Sequence, residues 1–150
     1  MVNIKPWDEY FLDLAKTCAS RSNCLRAQVG AVIVGPDKKI KATGYNGTPS
    51  KVESCAQRGV CYRIEHHIAS GTKYETCRSI HAEQNAIIQA GQDRCQNATI
   101  YIWGHNMICI LCKRFIVQSG ITNCILQKDE NSPIVRVSVE EIRKELEDTI

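Results

Sequence analysis

No apolar run in this 150-residue chain reaches the length of a membrane span, so no transmembrane helix is expected. The N-terminal stretch MVNIKPWDEYF has no apolar signal region, and the default expectation is a cytoplasmic location. Long basic runs are missing too. Lys and Arg are scattered and the net charge is only +3, so neither nucleic acid nor a membrane surface is expected as a partner. There is no internal repeat and no low-complexity segment, which excludes solenoid arrays and biased tails. What remains is an ordinary composition, 43% hydrophobic and 23% charged, over a length that suits one compact domain spanning residues 1–150.

Cysteine, by contrast, is abundant. Nine occur: Cys18, Cys24, Cys55, Cys61, Cys77, Cys95, Cys109, Cys112 and Cys124. The number is odd and no secretion signal precedes them, which argues against a disulfide framework. In a reducing compartment, clustered cysteines more often bind metal or do chemistry.

Residues 7–20 predict a helix with Tyr10, Phe11, Leu14 and Ala15 on one face. Residues 28–34 (QVGAVIV) read as a buried strand, Gly35-Pro36-Asp37 as a turn, and residues 39–45 as the hairpin partner. Residues 46–79 show no clear periodicity. A stretch that long inside a compact domain is usually functional or held by something. Residues 82–91 predict an Ala/Ile helix with Gly91 as its C-cap. Strands are expected at 98–103 and 121–126, a helix at 109–119, and a short edge strand near 133–137. Ser138-Val139-Glu140-Glu141 reads as a capping box opening the last helix. Strand and helix alternate, which predicts an α/β fold with one sheet and helices on both faces.

Two short motifs carry chemistry. Cys109-Ile110-Leu111-Cys112 places two thiols at i and i+3 in a helix's first turn, where exposed N–H groups and the helix dipole favour thiolate. His81 is the candidate third ligand. Two thiolates and one imidazole leave an open fourth position, the pattern of catalytic zinc. Glu83 follows at the head of the same helix as His81 and can reach the same point. Taken singly, CxxC is also a redox pair or two buried thiols, the His a cap, and the Glu a dipole complement. Together, H-x-E followed by C-x-x-C matches the signature of zinc nucleobase deaminases.

Four stretches, WDEYFLDLAK, CLRAQVGAVIV with ATGYNG, CRSIHAEQNAII and CILCKRFIVQSGI, resemble the cytidine/deoxycytidylate deaminase superfamily, and most of all its deoxycytidylate (dCMP) branch. The resemblance implies a three-layer α-β-α sandwich around a central mixed sheet of about five strands. It implies a zinc-dependent hydrolase in which zinc-activated water attacks C4 of a cytosine nucleotide, most readily dCMP, and yields dUMP and ammonia. Glu83 is then the catalytic proton shuttle, and His81, Cys109 and Cys112 are the metal ligands. Asn46 in GYNG, Ala82 and Arg26 are candidate substrate contacts, with Lys51 a second cation that could meet phosphate. Asn46-Gly47 is equally a turn signal. Some relatives carry a second, structural zinc, and Cys24, Cys55, Cys61 and Cys77 resemble its ligands, with His66 or His67 able to replace one thiol. Cys18, Cys95 and Cys124 are expected in the core. A homo-oligomer acting on a small nucleotide is implied.

The chain departs from the family pattern at residues 103–108 (WGHNMI). Ile108 stands where relatives have Pro, the loop is about two residues longer, and Trp103 and His105 are bulky where substrate is expected. No Tyr follows Tyr101. Substrate identity therefore stays open toward another nucleotide, nucleoside or base. A non-catalytic zinc module and a CxxC redox protein are the alternatives outside the superfamily. The first has no need of Glu83, and the second needs no metal.

Overall fold

A computed structural model describes residues 1–149. Helix α1 (Trp7–Ala19) leads into a hairpin of β1 (Gly30–Val34) and β2 (Ile40–Tyr45). Two short helices, α2 (Cys55–Arg58) and α3 (Tyr62–Glu65), and a single 3-10 turn at Tyr74–Thr76 interrupt the long segment that follows. Then come α4 (Ala82–Cys95), β3 (Thr99–Trp103), α5 (Ile110–Ser119), β4 (Asn123–Gln127), β5 (Val135–Ser138) and α6 (Val139–Thr149). The five strands form one mixed sheet in the order β2-β1-β3-β4-β5, with only β3 and β4 parallel. The α/β sandwich expected from the sequence is thus present.

Alternation along the strands builds two cores. Val32, Val34, Tyr101 and Ile125 face α1 and pack with Phe11, Leu12 and Ala15. Ala31, Ile33, Ile100, Ile102, Cys124 and Leu126 face the other way, toward α4, α5 and α6. The buried face of α1 is rotated from the sequence expectation: Leu12 is buried and Tyr10 exposed, because Tyr10 stands at the rim against Trp7 and Phe11. Tyr101 is buried mid-sheet, and its hydroxyl donates to Asp8 Oδ1 at 2.7 Å. Arg136 holds the other carboxylate oxygen at 2.6 Å, so one polar chain running from the buried Tyr101 to the surface ties α1 to β3 and β5. Cys95 and Cys124 are fully buried and Cys18 packs at the edge of the α1 core, as expected of core thiols.

Two glycines set the distance between the layers. A Cβ on Gly30 would lie 1.9 Å from the Ala15 carbonyl oxygen of α1, and one on Gly44 would lie 2.4 Å from the Ala82 carbonyl oxygen of α4. Helix α4 therefore rests on β2 backbone to backbone. Gly91 takes a left-handed φ of 74° and interrupts α4 where the sequence places a C-cap, although a further turn continues to Cys95. Ser138 and Glu141 exchange backbone and side-chain bonds at the head of α6, completing the capping box.

Gly44→Ala forces a methyl into the backbone of α4, where no rotamer change can relieve it. Overpacking of this kind is expected to cost about 3 kcal/mol or more. Chemical denaturation checks this; a loss under about 0.5 kcal/mol would show that α4 can move away freely.

Candidate active site

The start of α4 is held by a short backbone bridge. Gly47 and Ile80 exchange hydrogen bonds of 3.0 and 2.8 Å, pairing the end of the GYNG turn with the residue before His81. His81 is the N-cap of α4, with its backbone N–H donating to Gln84 Oε1 at 2.9 Å. Cys109 is the N-cap of α5, and its sulfur accepts from the Cys112 N–H at 3.4 Å. The parallel β3–β4 pair and the packing of α4 on α5 bring these two helix starts together.

His81 Nδ1 lies 3.3 Å from Cys109 Sγ and 3.3 Å from Cys112 Sγ. One ligand atom from each residue falls within 4.8 Å of the others. Tetrahedral bonds of about 2.3 Å to sulfur and about 2.0 Å to nitrogen would set sulfur and nitrogen about 3.5 Å apart. The donor set and its spacing therefore fit a divalent metal such as zinc with one position left open.

Electrostatics point the same way. Cys109 is brought down to about 4 by hydrogen bonding from Cys112, opposed by burial and reinforced by His81. Cys112 is pushed strongly up by sharing its proton with Cys109 and then by burial, with Glu83 adding to the effect. His81 is raised by its bond to Cys109. One thiolate forms readily and the second is resisted by the first. A cation among the three groups removes that conflict.

Glu83 is 4% exposed and sits in the first turn of α4, within reach of Cys112. Ala82 is fully buried. Asn46 is buried too, but its amide is engaged with backbone: Oδ1 accepts from the Val29 N–H at 2.9 Å and Nδ2 donates to the Ala27 carbonyl at 2.8 Å. It ties the end of β2 to the entry of β1, and one amide proton and one lone pair remain for a ligand. Arg26 and Lys51 are exposed and form no ion pair among the described residues.

Trp103 does not face the metal-ligand cluster. It packs on the α1 side of the sheet, with the Lys16 ammonium 5.4 Å from its ring, because alternation along β3 sends it to the face opposite Ile102. His105 is exposed, while Ile108 is buried and docks the loop ahead of Cys109. Two residues that carried no sequence pattern stand close by. The Tyr74 ring meets the His81 ring edge-on, centroids 4.8 Å apart, and the Arg63 guanidinium lies 5.0 Å from the Tyr74 centroid. Both come from the long segment without periodicity, where nothing local marks them.

Cys24, Cys61 and Cys77 lie near enough to Cys55 to influence its thiol. That thiol is raised by burial first and then by Cys61, Cys24 and Cys77. Cys24 Sγ accepts from the Arg26 N–H at 3.4 Å, and the Ala56 N–H donates to the Asn23 carbonyl, joining the two loops. Among the described residues these sulfurs do not close to the mutual distances of the His81 cluster. His66 and His67 are exposed, and His66 stacks on Tyr62 with Nδ1 on the Tyr62 carbonyl.

The family model described as the cytidine and deoxycytidylate deaminase zinc-binding region matches residues 5–128. The deoxycytidylate deaminase of Saccharomyces cerevisiae is 43% identical over 120 residues, covering 79% of this chain and 36% of the yeast protein. That of Mycobacterium phage D29 is 34% identical over 128 residues, covering 82% of this chain and 95% of the phage protein. The dCMP deaminase of cyanophage S-TIM5, solved with dCMP and dUMP, superposes with a TM-score of 0.58 at 26% identity, over 80% of each chain. The chain spans little more than a third of the two yeast relatives, 36% of the Saccharomyces cerevisiae protein and 38% of the Schizosaccharomyces pombe one.

Metal binding at His81, Cys109 and Cys112 should release protons, since the Cys112 thiol is pushed strongly up and the His81 imidazole is raised, so both favour their protonated forms. Zinc affinity is expected to rise with pH, with about one proton or more leaving per ion near neutrality. Calorimetric titration in buffers of different ionisation enthalpy measures this; zinc binding without proton release would contradict it.

Proposed function

The chain belongs to the cytidine and deoxycytidylate deaminase family, and from that premise we propose that it deaminates a cytosine nucleotide hydrolytically, dCMP in the first place. The observation that carries the reading is the juxtaposition of a His81–Cys109–Cys112 ligand set with the buried carboxylate of Glu83. A metal module without activity has no use for that carboxylate, which costs stability to bury. A redox CxxC pair has no use for His81.

When bound, zinc would supply a water acidified toward neutrality at the open position. The protein's residues do the rest. Glu83 accepts the proton of the attacking water as the C4–O bond forms and delivers it to ring N3. The remaining proton of the hydroxyl on C4 then passes through Glu83 to the amino group, so that the C4–N bond breaks, ammonia leaves and the C4 carbonyl forms. Glu83 must alternate between base and acid, so it stands beside the ligand set and is not part of it. The N-termini of α4 and α5 point their N–H groups at the site and stabilise negative charge there. Ala82, with no side chain beyond Cβ, leaves room for the ring, and the free lone pair and proton of Asn46 are available to sugar or base. Arg26 is an exposed cation open to the nucleotide. A second zinc held by Cys24, Cys55, Cys61 and Cys77 would staple the long segment. The nearness of those thiols to Cys55 supports it. The family's habit supports action as a homo-oligomer.

Glu83→Gln keeps the shape and removes the proton carrier. Ammonia release from dCMP is expected to fall by about a thousandfold or more, while bound zinc is unchanged. Retained activity would remove the proposed role of Glu83. Metal analysis of the purified protein is expected to find two zinc ions per chain; one would remove the cysteine staple, and none the whole reading.

A further inference from the structure

The segment between Gly47 and Ile80 buries one arginine that the mechanism above does not use. Arg63, on α3, is only 6% exposed. Its Nη2 donates to the carbonyls of Ala69 at 3.2 Å and Thr72 at 2.7 Å. Nε is buried with no hydrogen-bond partner. Nη1 donates to nothing, and no carboxylate pairs with the guanidinium, among the described residues. Arginine does not lose its proton at any working pH. A desolvated charge answered by two carbonyls at one nitrogen and by the Tyr74 ring still has donors unmet, and an anion would complete it.

Position indicates which anion. The guanidinium lies over the Tyr74 ring, and the Tyr74 ring lies edge-on to His81. One aromatic ring separates the unpaired cation from a metal ligand. In a mononucleotide one sugar separates the reacting ring from the phosphate. Resting on the nucleotide-deaminase reading, we propose that Arg63 receives the 5′-phosphate of the substrate, with Tyr74 as the surface between phosphate and pyrimidine. The N–H donors of Nη1 remain for phosphate oxygens, and partial desolvation strengthens such bonds. The exposed Arg26 and Lys51 lack that advantage, since water competes for each of them. The two carbonyl bonds of Nη2 hold the guanidinium in place before the ligand arrives.

The test compares dCMP with deoxycytidine, which differ only in the phosphate, on the zinc-loaded full chain. Arg63→Gln is expected to lower kcat/KM for dCMP by about a hundredfold, as loss of a buried charge partner does, and to change that for deoxycytidine by less than about threefold. Arg63→Lys, which keeps the charge and loses the fork, is expected to fall between. Inorganic phosphate should inhibit the unaltered enzyme competitively against dCMP and lose that effect in Arg63→Gln. Equal losses on both substrates, with zinc content and melting temperature preserved, would reduce Arg63 to a pin of the loop and overturn the assignment. So would an unchanged ratio of the two substrates. If Arg63→Gln does not fold, the ratio in Arg63→Lys and phosphate competition in the unaltered enzyme decide between the same outcomes. An unaltered enzyme that deaminates deoxycytidine but not dCMP would instead remove the nucleotide reading itself.

Discussion

Helix α4 lies on β2 with backbone against backbone, because Gly44 has no side chain to hold them apart. Everything at the site is placed from that contact. It fixes the height of the first turn of α4 above the sheet, and so the positions of His81, Ala82 and Glu83. The Gly47–Ile80 bridge fixes the same turn along the strand direction, and it makes the GYNG turn a neighbour of the metal ligands. Cys109 and Cys112 then arrive from the head of α5, carried there by the parallel pairing of β3 and β4. A parallel pair leaves both following segments at one edge of the sheet, which is where open α/β sheets place their ligands.

The cluster so assembled is electrostatically incomplete by itself. A second thiolate beside the first is resisted, which leaves one easy thiolate, one thiol that resists ionising, and a histidine drawn toward its charged form. A divalent cation resolves all three at once. The buried Glu83 adds a carboxyl group beside them, and the proposed proton shuttle uses it where a purely structural centre would have no use for it.

The long segment from 46 to 79 shows how irregular chain is kept in place. Short helices α2 and α3 give it local order, with Ser54 and Gln57 closing a capping box on α2. Arg63 draws the carbonyls of Ala69 and Thr72 together, and Tyr74 carries the segment onto His81. Cys24, Cys61 and Cys77 act on the Cys55 thiol, raising it after burial has done so. This segment thus forms one wall of the site while contributing no strand to the sheet.

The sequence by itself determined the layers and the residue types that meet at the site. Period-two and period-3.6 patterns are local, so the strands, most helix limits and the Gly91 break could be read directly. H-x-E and C-x-x-C name their own ligands because each motif lies within one helical turn. The tertiary structure alone decided what meets what. Trp103 looked like a pocket residue by its place in the loop, yet strand alternation turns it toward α1. Asn46 looked like a free substrate contact, yet its amide is engaged by Ala27 and Val29, which hairpin geometry brings to it. Arg63 and Tyr74 carried no pattern at all. A buried, unpaired charge is defined by what surrounds it, and those surroundings come from residues distant in the chain.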